Sequence, residues 1–144
     1  VASVMVGSFA GAISPARADT EHVGVDLALQ PGATVLPLRT DYEYAMVVLE
    51  GAVRVGDDTL VPGNLGYLGQ HREELAVSAT SATRVILLGG VPLEAPVFMW
   101  WNFVGRTREE IDAAAQSWQA DDGRFPAVNS TLARIPAPPV PWRV

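Results

Sequence analysis

From residue 44 to residue 68 the chain reads Y-A-M-V-V-L-E-G-A-V-R-V-G-D-D-T-L-V-P-G-N-L-G-Y-L. Apolar runs this short, each closed by a turn, leave few folds open. Residues 45–49 are apolar and stop at Glu50-Gly51. Val53 and Val55 then alternate with Arg54 as a half-buried strand requires. Gly56-Asp57-Asp58 turns the chain into a strand over 59–61. Pro62-Gly63 turns it again, since proline presets φ at one central turn position and glycine tolerates φ > 0 at the next, the requirement of a type II turn. Residues 65–68 form a fourth strand. Such a meander predicts an all-β sandwich or barrel, because a doubly wound parallel sheet would need helical crossovers between strands.

The same alternation extends outward on both sides. Strands are predicted over 25–29, 33–38, 74–78 and 85–88, the last a continuous apolar run expected to be buried on both faces. Near the start, residues 4–13 are fairly apolar and Ala16-Arg17-Ala18 resembles a signal-peptide cleavage site. No basic segment precedes them, and Gly7, Gly11 and Pro15 interrupt the run. A strand over 3–7 followed by a loop is therefore the reading adopted, and a cytoplasmic location is expected.

After Gly89-Gly90-Val91-Pro92 the character of the sequence changes. Residues 97–104, V-F-M-W-W-N-F-V, are the most aromatic in the chain. If extended, they set Phe98 and Trp100 on one face and Met99 and Trp101 on the other. Thr107-Arg108-Glu109-Glu110 is a capping box, with Glu110 expected to reach back to the cap residue's own N–H, and it opens a helix over 107–120. Ile111, Ala114, Ala115 and Trp118 make its apolar stripe, expected to pack on the sandwich, and Asp121-Asp122-Gly123 stops it. Residues 134–142, R-I-P-A-P-P-V-P-W, hold too many prolines for a helix or central strand and form an extended strap. The organisation expected is a sandwich over 1–92 with 93–144 packed on it as one structural domain.

Composition excludes several functions. A chain of 144 residues without cysteine has no disulfide, thiolate ligand or cysteine nucleophile. Ten basic against sixteen acidic residues give a net charge of −6, with no basic cluster to track a phosphate backbone, so nucleic acid is not an expected partner. No apolar run reaches the ~20 residues that a membrane span needs. Charged residues are 18% of the chain, where about 25% is usual, so part of the surface is expected to be covered by a partner.

Motifs for nucleophilic or phosphoryl chemistry are missing, and the pairs Asp57-Asp58, Glu73-Glu74 and Asp121-Asp122 sit at turns or strand edges as solvated charge. His22 and His71 read as surface or capping side chains. The spacing of Gly32, Leu38, Thr40, Tyr44 and Gly51, then Gly56, Pro62, Asn64, Tyr67 and His71, is similar to the two signatures of the cupin fold. That resemblance implies a jelly roll with two histidines, a glutamate and a third histidine on a divalent metal. Here those four positions read Leu38, Thr40, Tyr44 and Tyr67. An alkyl group, a threonine hydroxyl and phenols that ionise near pH 10 make no ordinary metal site. The expectation is a vestigial pocket in which the three hydroxyls converge, filling the space or holding a small molecule.

The combination L-E-G-x-V-x-V-G, P-G-x-L-G-Y-L, M-W-W-N-F-V-G-R-T-x-E-E-I and R-I-P-A-P-P-x-P-W resembles the carboxy-terminal half of the pirin family, across nearly the whole chain. Pirins are bicupins. The resemblance implies that iron belongs to an amino-terminal cupin domain and that this half carries no cofactor, no metal ligands and no catalytic residue. Ring-cleaving dioxygenation of the quercetin type, or a nuclear cofactor role, would belong to the iron-bearing half. A first residue other than Met suggests a fragment, a processed product or a truncated frame. The expected role is a structural or interaction module whose Trp100, Trp101 and Trp142 face an iron-binding cupin domain or a second copy of the chain. The plainer alternative keeps Trp100 and Trp101 inside the domain, packed between sandwich and helix. The competing reading is an enzyme, a dioxygenase or isomerase using a metal that the chain acquires or shares, and the strap could instead serve a PxxP-binding domain.

Overall fold

A computed structural model describes residues 1–142. The chain divides into two compact units, Val1–Pro92 and a second from Leu93 onward. The first contains β1 (Ala2–Val6), β2 (Ser8–Phe9), β3 (Ala12–Ile13), β4 (His22–Leu29), β5 (Gly32–Pro37), β6 (Glu43–Glu50), β7 (Val53–Val55), β8 (Asp58–Leu60), β9 (Leu65–Gly69), β10 (Glu74–Ala79) and β11 (Thr83–Gly90). One sheet runs β1-β4-β11-β6-β9 and the other β5-β10-β7-β8, with β2 and β3 as a small separate hairpin. Every pairing is antiparallel. The all-β sandwich expected from the meander is the fold observed.

Alternation explains the core. Val25, Leu27, Met46, Val48, Val85 and Leu87 point inward from the first sheet and meet Leu36, Val53, Leu75 and Val77 from the second. The Pro62-Gly63 turn has the geometry its residues call for: Gly63 is at φ +89° and the Asn64 N–H donates to the Val61 carbonyl at 2.9 Å. Two expectations need correction. β11 is buried on one face only, because Arg84 and Leu88 are exposed and Ile86 half-buried on the other. An antiparallel sheet in a two-layer sandwich needs just one dry face. After β1, the chain forms the β2-β3 hairpin where a plain loop was expected, with Ala10 and Gly11 both at positive φ as a two-residue hairpin turn demands.

The second unit contains β12 (Phe98–Trp100), β13 (Phe103–Gly105) and α1 (Arg108–Ala120). The aromatic segment is thus a hairpin and not one extended strand, and the turn falls at Trp101-Asn102. The helix begins at Thr107, whose hydroxyl accepts from the Glu110 N–H at 3.2 Å. Glu110 reaches back one residue further than a capping box would, its Oε2 accepting from the Arg106 N–H at 2.6 Å. Asp121, at φ 53°, ends the helix and donates its N–H to the Ser117 carbonyl. Ile111 and Ala114 are buried with Phe103, Ala137 and Val140, and Trp100, Trp101, Trp118 and Trp142 pack around them. The stripe therefore finds its cover within the second unit. The strap is fastened by side chains: Trp118 Nε1 donates to the Ile135 carbonyl at 2.8 Å, and the Gln119 amide both donates to and accepts from the Ala137 backbone. Among the described residues no helix is long and apolar enough to cross a membrane.

Candidate functional site

β6 carries the centre of the sandwich interior. Tyr42, which precedes it, and Tyr44 stand two residues apart and share the inward face, 5% and 3% exposed, with ring centroids 5.9 Å apart. The Tyr44 hydroxyl accepts from the Arg39 N–H at 3.0 Å. The Arg39 guanidinium lies over the Tyr42 ring, 4.2 Å from its centroid, donates to the Tyr42 hydroxyl and pairs with Glu21 and Asp41. Hydrogen bonds to Asp41 and then Glu21, with the charge of the Tyr42 phenol oxygen, raise the arginine's pKa, while the guanidinium lowers that of Asp41. Across the sheet Tyr44 is paired with Gly89, and its ring occupies the space where a side chain there would stand.

Of the four cupin ligand positions, the structure brings only two into the sandwich. Tyr44 is inside and Leu38 is half-buried against the same core. Thr40 is exposed; its carbonyl accepts from the His71 N–H at 3.2 Å. Tyr67 lies on the outer surface, 64% exposed, and donates to Glu43 Oε2 at 3.0 Å. The expected convergence of three hydroxyls is therefore corrected. Tyr67 is opposite Ala45, whereas Leu68 faces the core, and a bulge between Tyr44 and Ala45 shifts the register at this point. One residue of offset moves a strand side chain to the other face. Tyr42, which signature spacing did not single out, takes the inner place; its i, i+2 relation to Tyr44 was the available signal.

Burial raises the Tyr44 pKa above its ordinary value. The phenol is therefore held neutral, and the stability this confers is complete below the unfolded-state pKa of about 10 and lost as pH rises through the higher folded-state value. Tyr44→Phe leaves the Arg39 N–H without its partner. It is expected to cost about 1 kcal/mol in urea unfolding at neutral pH and to flatten the alkaline loss of stability. Equal slopes for both proteins above pH 10 would show that Tyr44 does not carry the alkaline transition.

Iron does not fit here. Among the described residues no three His, Cys, Asp or Glu side chains gather as a metal site. His22 opens β4 with Nδ1 against Thr20, and His71 is exposed at φ 61°. Neither joins Tyr44.

In the second unit Trp101, Phe103, Phe125 and Trp118 form a closed cycle of ring contacts, with centroids 5.4–5.8 Å apart. Trp100 stacks edge-on against Trp142, and its buried Nε1 meets no acceptor, while Trp142 Nε1 donates to Asp112 at 3.1 Å. The three tryptophans expected at an interface thus spend much of their surface inside this unit. Phe98, Met99 and Val104, on the same hairpin, are exposed apolar side chains. Trp118, Phe125 and Arg134 belong to the aromatic site although sequence spacing gave no sign of it, because they are far apart along the chain.

Comparison with known proteins agrees with this geometry. Residues 24–126 match the Pirin C-terminal cupin domain family. A Pseudomonas aeruginosa protein named "Putative quercetin 2,3-dioxygenase PA1205" is 38% identical over 99% of this chain and 46% of its own. A "Pirin-like protein" of Caulobacter vibrioides is 38% identical over 69% of this chain and 36% of its own. The crystal structure of a quercetin 2,3-dioxygenase from Acinetobacter baumannii superposes with a TM-score of 0.87 at 34% identity, covering 99% of this chain and 48% of that one. The chain spans about half the length of the relatives it matches most fully. Its sandwich is a cupin fold, and it belongs to the pirin family as a C-terminal cupin domain.

Proposed function

We propose that this chain is the metal-free cupin half of a pirin-like protein, a structural and interaction module that pairs in the cytoplasm with an iron-binding cupin domain. The observation that carries the reading is the interior of β6. Where a metallocupin needs imidazoles and a carboxylate, a phenol bonded to a backbone N–H and an alkyl side chain fill the space. Support for pairing comes from the outer face of the five-stranded sheet, where Leu49, Leu65, Tyr67 and Leu88 are exposed together, and from relatives about twice as long. A second copy of this chain is the other candidate for that face, and sedimentation velocity across a concentration series separates it from a monomer awaiting a different domain.

Purified chain incubated with ferrous iron and desalted is expected to retain a small fraction of an equivalent and to leave quercetin unchanged. One tightly held iron per chain would overturn the proposal. The second reading, part of a quercetin-type dioxygenase, rests on the names its relatives bear. In that case turnover requires adding an iron-bearing amino-terminal domain, and this chain contributes no residue to the reacting centre.

A further inference from the structure

The aromatic cycle of the second unit borders a cavity of about 540 Å³, lined as well by Pro126, Val128, Leu132 and Ile135. Sites for drug-sized molecules span roughly 300–1,000 Å³ and are mostly apolar, with few polar groups. We propose that this cavity binds a planar, uncharged aromatic molecule, at a site separate from the sandwich interior.

Three features converge on that ligand class. The walls are ring faces and edges from Trp101, Phe103, Trp118 and Phe125, which favour stacked or edge-on contact with another ring. The charged groups lining the cavity are already engaged with each other and with the protein. Arg134 stacks on Trp118 with its guanidinium carbon 3.9 Å from the ring centroid, pairs with Asp121, and donates to the Trp118 carbonyl at 2.7 Å. A charged ligand would lose its hydration and gain no free counter-charge.

The third feature is backbone strain. Trp101 sits at φ 51° in the first position of a two-residue hairpin turn, where glycine or asparagine is the unstrained choice. A bulky residue held there at a cost in free energy puts an indole on the cavity wall, and such strain concentrates at ligand sites. The rim is apolar as well, with Leu132 84% and Val128 80% exposed, so the mouth of the cavity repels water and not the ligand.

The test uses N-phenyl-1-naphthylamine, an uncharged molecule of two aromatic systems, with the full chain. Saturable binding at one site per chain is expected, with energy transfer from the tryptophans. Leu132→Glu and Val128→Glu, at highly exposed positions, should each weaken binding about tenfold, equivalent to 1.4 kcal/mol, with thermal melting unchanged. Val35→Glu, an exposed apolar position on the sandwich, should leave binding as it was. The sulfonated analogue 1-anilinonaphthalene-8-sulfonate should bind at least about tenfold more weakly than the neutral probe, since a buried unpaired charge costs far more than a neutral edge. Non-saturable binding, equal loss with Val35→Glu, no loss with both rim variants, or equal affinity for the sulfonate would each overturn the proposal. None of these outcomes depends on whether the sandwich holds iron.

Discussion

Gly89→Val is expected to destabilise the sandwich by about 3 kcal/mol or more, at the upper end of what overpacking a core costs. A Cβ at Gly89 would lie 2.4 Å from Tyr44 Cε1 and 2.5 Å from Cδ1, and the ring is packed against Tyr42 and held through its hydroxyl by the Arg39 N–H. The ring has nowhere to swing. Gly89 is not at positive φ, so the effect is steric and not conformational. Steric origin predicts rescue. Tyr44→Ala alone should cost about 3–5 kcal/mol as a large core truncation. The double variant should then be less destabilised than the two single effects combined, with a coupling of at least about 1 kcal/mol, as contacting residues show. Additive losses in urea unfolding would mean that the ring and the glycine do not compete for one space.

The second large effect concerns the other core. Ile111 is wholly buried and the most enclosed of five buried apolar side chains grouped there, with Phe103, Ala114, Ala137 and Val140. Ile111→Ala should cost about 2–5 kcal/mol. A unit of about 50 residues has little stability to lose, because so small a core buries a limited share of its surface. The expected result is local: tryptophan emission shifts to the red while the amides of β4, β6 and β11 keep their protection from exchange. All four tryptophans lie beyond residue 92 and all three tyrosines before it, so the two cores can be followed separately. A red shift accompanied by loss of protection in β4, β6 and β11 would show that the two cores unfold together.

The strands of the sandwich were legible because each is closed by a residue with a specific backbone requirement. Gly51, Gly56 and Gly63 are all at positive φ, and Pro62 precedes the last of them. Alternation between such stops fixes which side chains face in. Reading failed where the stop was not of that kind. The turn at Trp101-Asn102 contains neither glycine nor proline, and its register is set by the packing of indoles that meet only in the folded chain. The interior suffered from the opposite error. Cupin-signature spacing places Tyr67 inside, whereas alternation along β9, with Leu68 facing the core, sets it outside, bonded to Glu43.

The attachment of the strap has a consequence for anyone who follows this domain by its amide protons. Pro136, Pro138, Pro139 and Pro141 contribute none, and the carbonyls of Ile135 and Ala137 are held by side chains of the helix and not by another backbone. Detachment of the tail would pass almost unseen in such a measurement. Two indole resonances, those of Trp118 and Trp142, would report it, together with the Ala137 amide held by Gln119, because the indole protons lose the Ile135 oxygen and the Asp112 carboxylate at the moment of release.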